Sequence, residues 1–156
     1  MDPRHALLTF LFAHSWRPWA WLKRREPWGL SPLELARWPP GTLGEALGRY
    51  LCAMGFELMD KLESHDVAHL LTGVATDVPG EIALQYLLAG NGKRSVYMAA
   101  VLVVGAVLFP ERHREWRAAF ARGRELAPFH HLDFRALLDA PLGELVDYLE
   151  GRRAAA

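Results

Sequence analysis

At 156 residues, with 51% hydrophobic and 23% charged side chains, the chain has the length and composition of one globular domain with a real core. Lys+Arg and Asp+Glu both number 18, so the net charge is zero and no overall field favours nucleic acid, which is not expected as a partner. Cys52 is the single cysteine, which excludes an intrachain disulfide and a cysteine-built zinc site and fits a reducing cytosol. The opening "MDPRHALLTFLFAHSW" has a short apolar run, an early acid and no small-residue cleavage pattern, so no signal peptide is expected.

Residues 4–14 come first, with Leu7, Leu8, Leu11 and Phe12 at helical spacing. Pro18, Pro27 and Pro32 break "SWRPWAWLKRREPWGLSP", which can hold one short turn at most. Thr42 and Glu45 stand at capping-box spacing ahead of a helix that ends near Gly55. A helix over residues 58–71 follows, closed by Gly73. Asp77 caps the next, with Pro79 in its first turn and Gly90 at its end. Residues 96–109 are apolar on all sides. About 14 residues fall short of the roughly 20 that span a bilayer, so a buried central helix is expected, with residence at a membrane interface as the rival. Pro110 restarts the chain into the basic amphipathic helix "ERHREWRAAFARGREL". Asp133 and Pro141 are start signals for one or two short terminal helices. Nothing alternates with period two for long, and no internal repeat is present. The chain reads as all-α, a single compact helical domain over residues 1–156 with about six to eight helices.

The chemistry gathers in "ESHDVAHLLTGVATDVPGE", residues 63–81. On a helix, His65 and His69 are i and i+4, so their rings project from one face within reach of one ion. Imidazole commonly binds zinc and other late first-row metals. Asp66 lies about 100° around the helix from His65. It is a flanking ligand, a base, or a carboxylate that fixes an imidazole tautomer. Glu81 stands past the Pro79-Gly80 bend, where an antiparallel helix pair would return its carboxylate to the histidines. Two His and one carboxylate leave coordination positions open, as catalytic sites do. The plainer alternative is a polar helix face, with Glu81 only favouring the positive end of its helix. Gly80 would let the backbone pass close to a partner helix.

Other features read as structural or stay open. Lys93 and Arg94 in "GNGKRS" fit a turn better than a phosphate or carboxylate receptor, since no Walker spacing is present. His130 and His131 are neighbours whose rings would diverge on a helix, so packing or capping is their expected role. Trp16, Trp19, Trp21 and Trp28, interleaved with Arg17, Lys23, Arg24 and Arg25, suit a lipid headgroup interface and core closure equally. Trp116 and Phe120 read as core.

The stretch "HDVAHLLTGVATDVPGE" resembles the signature of the coenzyme Q biosynthesis protein 4 family: His-Asp, two residues, His, eleven residues, Glu. His65, Asp66, His69 and Glu81 fill the four positions. Upstream "WPPGTLGEALGRYL" and downstream "EIALQYL", "ARGRELAP" and "DFRALLDAPLGEL" resemble the family's flanking segments, so the likeness covers about residues 38–149. Residues 1–37 match weakly, and "LAGNGKRSVY" departs from the pattern, as in a divergent bacterial branch. The resemblance implies an all-helical, homodimeric protein, cytoplasmic and held peripherally at the inner face of the cytoplasmic membrane. It implies a divalent metal, usually taken as zinc, held by His65, His69 and Glu81, with Asp66 as ligand or base. It further implies a polyprenylated aromatic quinone precursor as substrate, oxidative decarboxylation that replaces a ring carboxylate with a hydroxyl, and other quinone-biosynthesis enzymes as partners. The rival functions are a lipid-binding scaffold without chemistry and a metal-dependent phosphohydrolase. The latter would want a second His-Asp pair, and the sequence offers no compelling one.

Overall fold

The computed structural model describes Arg4 and residues 26–151. Apart from Arg4, the expected helix over residues 4–14 lies outside them, and so does the Trp-rich basic stretch up to residue 25. Among the described residues the chain is all-α, as its sequence indicates. The helices are α1 (Pro32–Leu35), α2 (Leu43–Met54), α3 (Glu63–Thr72), α4 (Val78–Gly90), α5 (Val96–Leu108), α6 (His113–Glu125) and α7 (Leu142–Leu149). A 3₁₀ turn, Pro110–Arg112, precedes α6. The described residues divide into two compact units, residues 26–73 with 131–151, and residues 74–130 with Arg4.

In the first unit, Ser31 and Glu34 form a reciprocal capping box on α1. The Thr42 hydroxyl accepts from the Glu45 N–H at 3.3 Å to start α2, and Gly55 ends it in the left-handed region, at φ 68°. The Leu43, Leu47 and Leu51 stripe of α2 is buried. A Cβ on Gly48, on the same helix, would stand 2.2 Å from the Ala36 nitrogen, so only glycine lets the end of α1 lie on the α2 backbone. The first N–H groups of α2 have no partner within their helix. The returning chain supplies one for each of two: Leu43 donates to Ala140 O at 2.9 Å, and Gly44 donates to Leu138 O at 2.8 Å. Of the two terminal start signals, Pro141 opens α7. Asp133 opens only turns, whose bonds run from the Ala136 N–H to Asp133 O and from the Leu137 N–H to Phe134 O.

Helix α3 starts at Glu63, not at residue 58. Lys61 sits at φ 66°, and the Leu62 N–H bonds back to Met59 O at 2.9 Å. A left-handed lysine cannot continue a right-handed helix, so a turn occupies the expected first turn. Gly73, at φ 66°, closes α3 as expected.

The second unit corrects the expectation of a buried central helix at residues 96–109. The helix buried on nearly every side is α4, from Pro79 to Ala89, with Glu81 and Tyr86 half-buried. On α5 only Met98, Val101 and Gly105 are buried, while Val96, Val103 and Val107 are 75%, 63% and 72% exposed. An all-apolar run fixes that a helix forms but not how many of its sides find a neighbour. No single helix among the described residues is long and apolar enough to cross a membrane. Trp116 of α6 fills the core with Ile82, Ala83, Val101 and Phe109, and stacks on Tyr86 at 5.5 Å. Phe120, one turn on, is exposed rather than core. Two glycines let α4 and α6 touch backbone to backbone: a Cβ on Gly90 would meet Phe120 O at 2.1 Å, and one on Gly123 would meet Leu87 O at 2.0 Å. Asn91 then ties the ends of both helices together. Its amide donates to the carbonyls of Gly123, Leu126 and Ala127, and its oxygen accepts from the Phe129 and His130 N–H groups.

Candidate metal centre

Helix α3 holds both histidines as the i, i+4 spacing requires. Their ring centroids are 4.7 Å apart and nearly perpendicular, at 76°. His69 is buried and His65 half-buried. The Nδ1 atom of His65 and the Nε2 atom of His69 are both shielded from solvent. Val67, Ala68 and Thr72 are buried on the same helix, and the Thr72 hydroxyl donates back to Ala68 O at 2.7 Å. His69 O accepts from the Gly73 N–H at 2.8 Å, so the left-handed glycine turns the chain one residue after the helix ends.

Glu81 sits in the first turn of α4, its N–H bonded to Asp77 O at 2.8 Å. The Asp77 carboxylate caps that turn by accepting from the Gly80 N–H at 2.9 Å. A Cβ on Gly80 would stand 2.1 Å from Ala75 O. Gly80 therefore serves a close approach, but to the connecting loop and not to a partner helix. One ligating atom each of His65, His69 and Glu81 lies within 4.8 Å of the others, so this group could hold a metal ion.

Asp66 is not one of the three. Its Oδ1 lies 3.8 Å from Nδ1 of His65, beyond hydrogen-bond range, and makes an ion pair there when the ring is protonated. Its Oδ2 is buried with no hydrogen-bond partner. A buried carboxylate oxygen in that state is costly unless a proton or cation comes close to it.

The same arrangement of helices exists elsewhere. A crystal structure of the "Putative ubiquinone biosynthesis protein" of Nostoc punctiforme PCC 73102 aligns with a TM-score of 0.64 at 21% identity, over 83% of this chain and 72% of that one. The two share a fold. No family model matches this chain, and no curated protein sequence does.

The remaining candidates belong to no ligand group among the described residues. Arg94 donates to Ala89 O in the last turn of α4 and to Lys93 O in the turn beyond it, both at 2.9 Å. His130 leans on the Asn91 oxygen and His131 is exposed. Trp28 is buried, as core closure requires. Sequence reasoning passed over Glu63, two residues before His65. It is 4% exposed, and its carboxylate accepts the Trp28 N–H at 2.9 Å. No local pattern marks it, because its partner is 35 residues away.

Proposed function

We propose that this chain is a divergent member of the coenzyme Q biosynthesis protein 4 family and acts on a polyprenylated aromatic ring in ubiquinone biosynthesis. A divalent metal, zinc by its donor set, is held by His65, His69 and Glu81. The observation that carries the reading is the ligand group, in a fold held in common with the Nostoc protein.

The residues fit such an ion. Two imidazoles and a carboxylate are a zinc-type donor set with positions left for water and substrate. The buried Asp66 oxygen adds negative charge beside His65, which favours a cation there. When bound, the metal would supply Lewis acidity toward a ring carboxylate or phenolate. His65 and His69 bind through neutral nitrogens. Asp66, 3.8 Å from the His65 ring, is the flanking ligand or base of this reading. In the overall reaction the ring carboxylate leaves as carbon dioxide and a hydroxyl takes its place; the hydroxyl oxygen comes from dioxygen or water, and the two electrons released go to dioxygen or another acceptor, since zinc is not redox-active.

Elemental analysis and turnover test this together. The wild-type chain should hold about one metal per chain. With a prenylated, carboxylated ring and oxygen, it should release carbon dioxide only when metallated. His69→Ala should lose both. Full occupancy and normal turnover in that variant would sink the proposal.

The apolar face of α5 favours a second reading, a scaffold that binds lipid, partner enzymes or a second copy of the chain. Cytoplasmic residence with peripheral attachment to the inner membrane face belongs to either reading. Loss of carbon dioxide release with retained lipid or partner binding would favour the scaffold. Failure to co-sediment with anionic vesicles at low salt would remove the membrane from both.

A further inference from the structure

We infer that Glu63 is a positioning residue, whose buried tether to Trp28 holds the first turn of α3 and so places His65. The inference rests on the metal reading for its functional consequence, though not for its structural one.

Helix α3 has 10 residues, a length at which a helix is marginal without tertiary support. Its start is weakly built. Leu62, the residue before it, provides no side-chain cap, and the chain enters from the left-handed Lys61. The His65 N–H is satisfied by a tight bond to Leu62 O at 2.7 Å. Helix ends fray first, and the first turn here, residues 63–66, carries His65 and Asp66. His69 lies in the other half of the helix, next to the well-formed Gly73 cap.

Glu63 supplies the missing restraint. It is 4% exposed, and its Oε1 accepts the buried Trp28 N–H at 2.9 Å. Trp28 is itself held: it is buried, and its carbonyl accepts from Arg135 at 3.4 Å. A carboxylate to backbone N–H bond is charge-assisted and stronger than a neutral one. Negative charge in a first helical turn is also favoured by the helix dipole. The tether therefore acts on one end of α3, and its loss should move His65 more than His69.

Three variants test this. Glu63→Met removes the acceptor at similar size, Glu63→Asp keeps the charge but is one methylene short, and Glu63→Gln keeps a carbonyl that can accept from Trp28. Zinc affinity is read by chelator competition and ligand geometry by the visible spectrum of the cobalt-loaded chain. Amide hydrogen exchange of the metal-free chain compares residues 65–67 with residues 69–72. Met and Asp should weaken zinc by about tenfold or more and alter the cobalt spectrum. They should also speed exchange in the first turn more than in the last. Gln, which keeps the acceptor but loses the charge, should lie between Met and wild type in all three. Wild-type affinity, spectrum and exchange in either the Met or the Asp variant would overturn the role. Should Met fail to fold, Asp carries the decision. Should wild type bind neither zinc nor cobalt, the metal reading fails, and the exchange pattern alone still decides whether Glu63 holds the first turn.

Discussion

Replacing Gly123 with alanine should force α4 and α6 apart. The new Cβ would stand 2.0 Å from Leu87 O, 2.8 Å from Leu87 C and 3.1 Å from Asn91 N. The closest of these is about 1.4 Å short of ordinary contact, and all three belong to backbone that cannot rotate aside. The helices must separate or tilt, which opens the packing around Trp116 and stretches the 3.1 Å bond from the Asn91 amide to Gly123 O. Overpacking of this kind costs about 1–3 kcal/mol. Alanine's better helix propensity returns up to about 1 kcal/mol. Loss of contact across a widened gap and the weakened Asn91 bond add to the cost, for a net loss of about 2 kcal/mol. For a chain of this size that lowers Tm by roughly 4–8 °C, measurable by circular dichroism. Gly90→Ala should behave alike, since its Cβ would meet Phe120 O at 2.1 Å. The double variant should lose less than the sum, because the first substitution already makes room for the second. A Tm at or above wild type for Gly123→Ala would refute the close crossing, and strict additivity would refute its being shared.

Zinc in hundredfold excess over Kd should stabilise wild type by about 2.7 kcal/mol, seen as a raised Tm, and should leave His69→Ala unshifted; an equal shift in both would place the ion elsewhere. Asn91→Ala strips hydrogen bonds from three carbonyls and two N–H groups, so denaturant titration should register a loss of about 3 kcal/mol or more, and a loss under 1 would contradict the network. Val103→Ser and Val107→Ser, at exposed positions, should each change stability by less than about 0.5 kcal/mol; a large loss would mean that this face of α5 is covered. The Ser31 N–H, and after it the Ser31 hydroxyl, hold the Glu34 carboxyl below the ordinary glutamate range. A carboxyl depressed on folding contributes stability above its unfolded value and loses it as pH falls through the folded one. An NMR titration should therefore find the Glu34 midpoint low, with Ser31→Ala bringing it partway back.

The features legible in the sequence were those that neighbours along the chain decide. Thr42 and Asp77 cap, Gly55 and Gly73 terminate, and His65 and His69 share a face because four residues make about one turn. What escaped depends on distant partners. Residues 96–109 are apolar whichever sides are covered, so composition could not show that α4, rather than α5, would be the buried helix. The left-handed Lys61 has no residue-type signal, as a glycine there would have had, so the start of α3 was placed too early. In the ligand group, the histidine pair follows from spacing and Glu81 from the bend before it. Glu63 was invisible because its meaning lies in the backbone of Trp28.

The N–H groups of Leu43 and Gly44 wait for carbonyls at Ala140 and Leu138. During synthesis the chain emerges from its N-terminus, so the unit containing the histidine helix is left open until residues 138–140 have been made. Residues 74–130 have their mutual partners earlier and can consolidate first. A chain that has emerged as far as residue 130 would thus hold a complete second unit and an unclosed first one, with α2 still lacking its final restraints. Closure of the unit that carries the histidine helix would accordingly come after consolidation of the second.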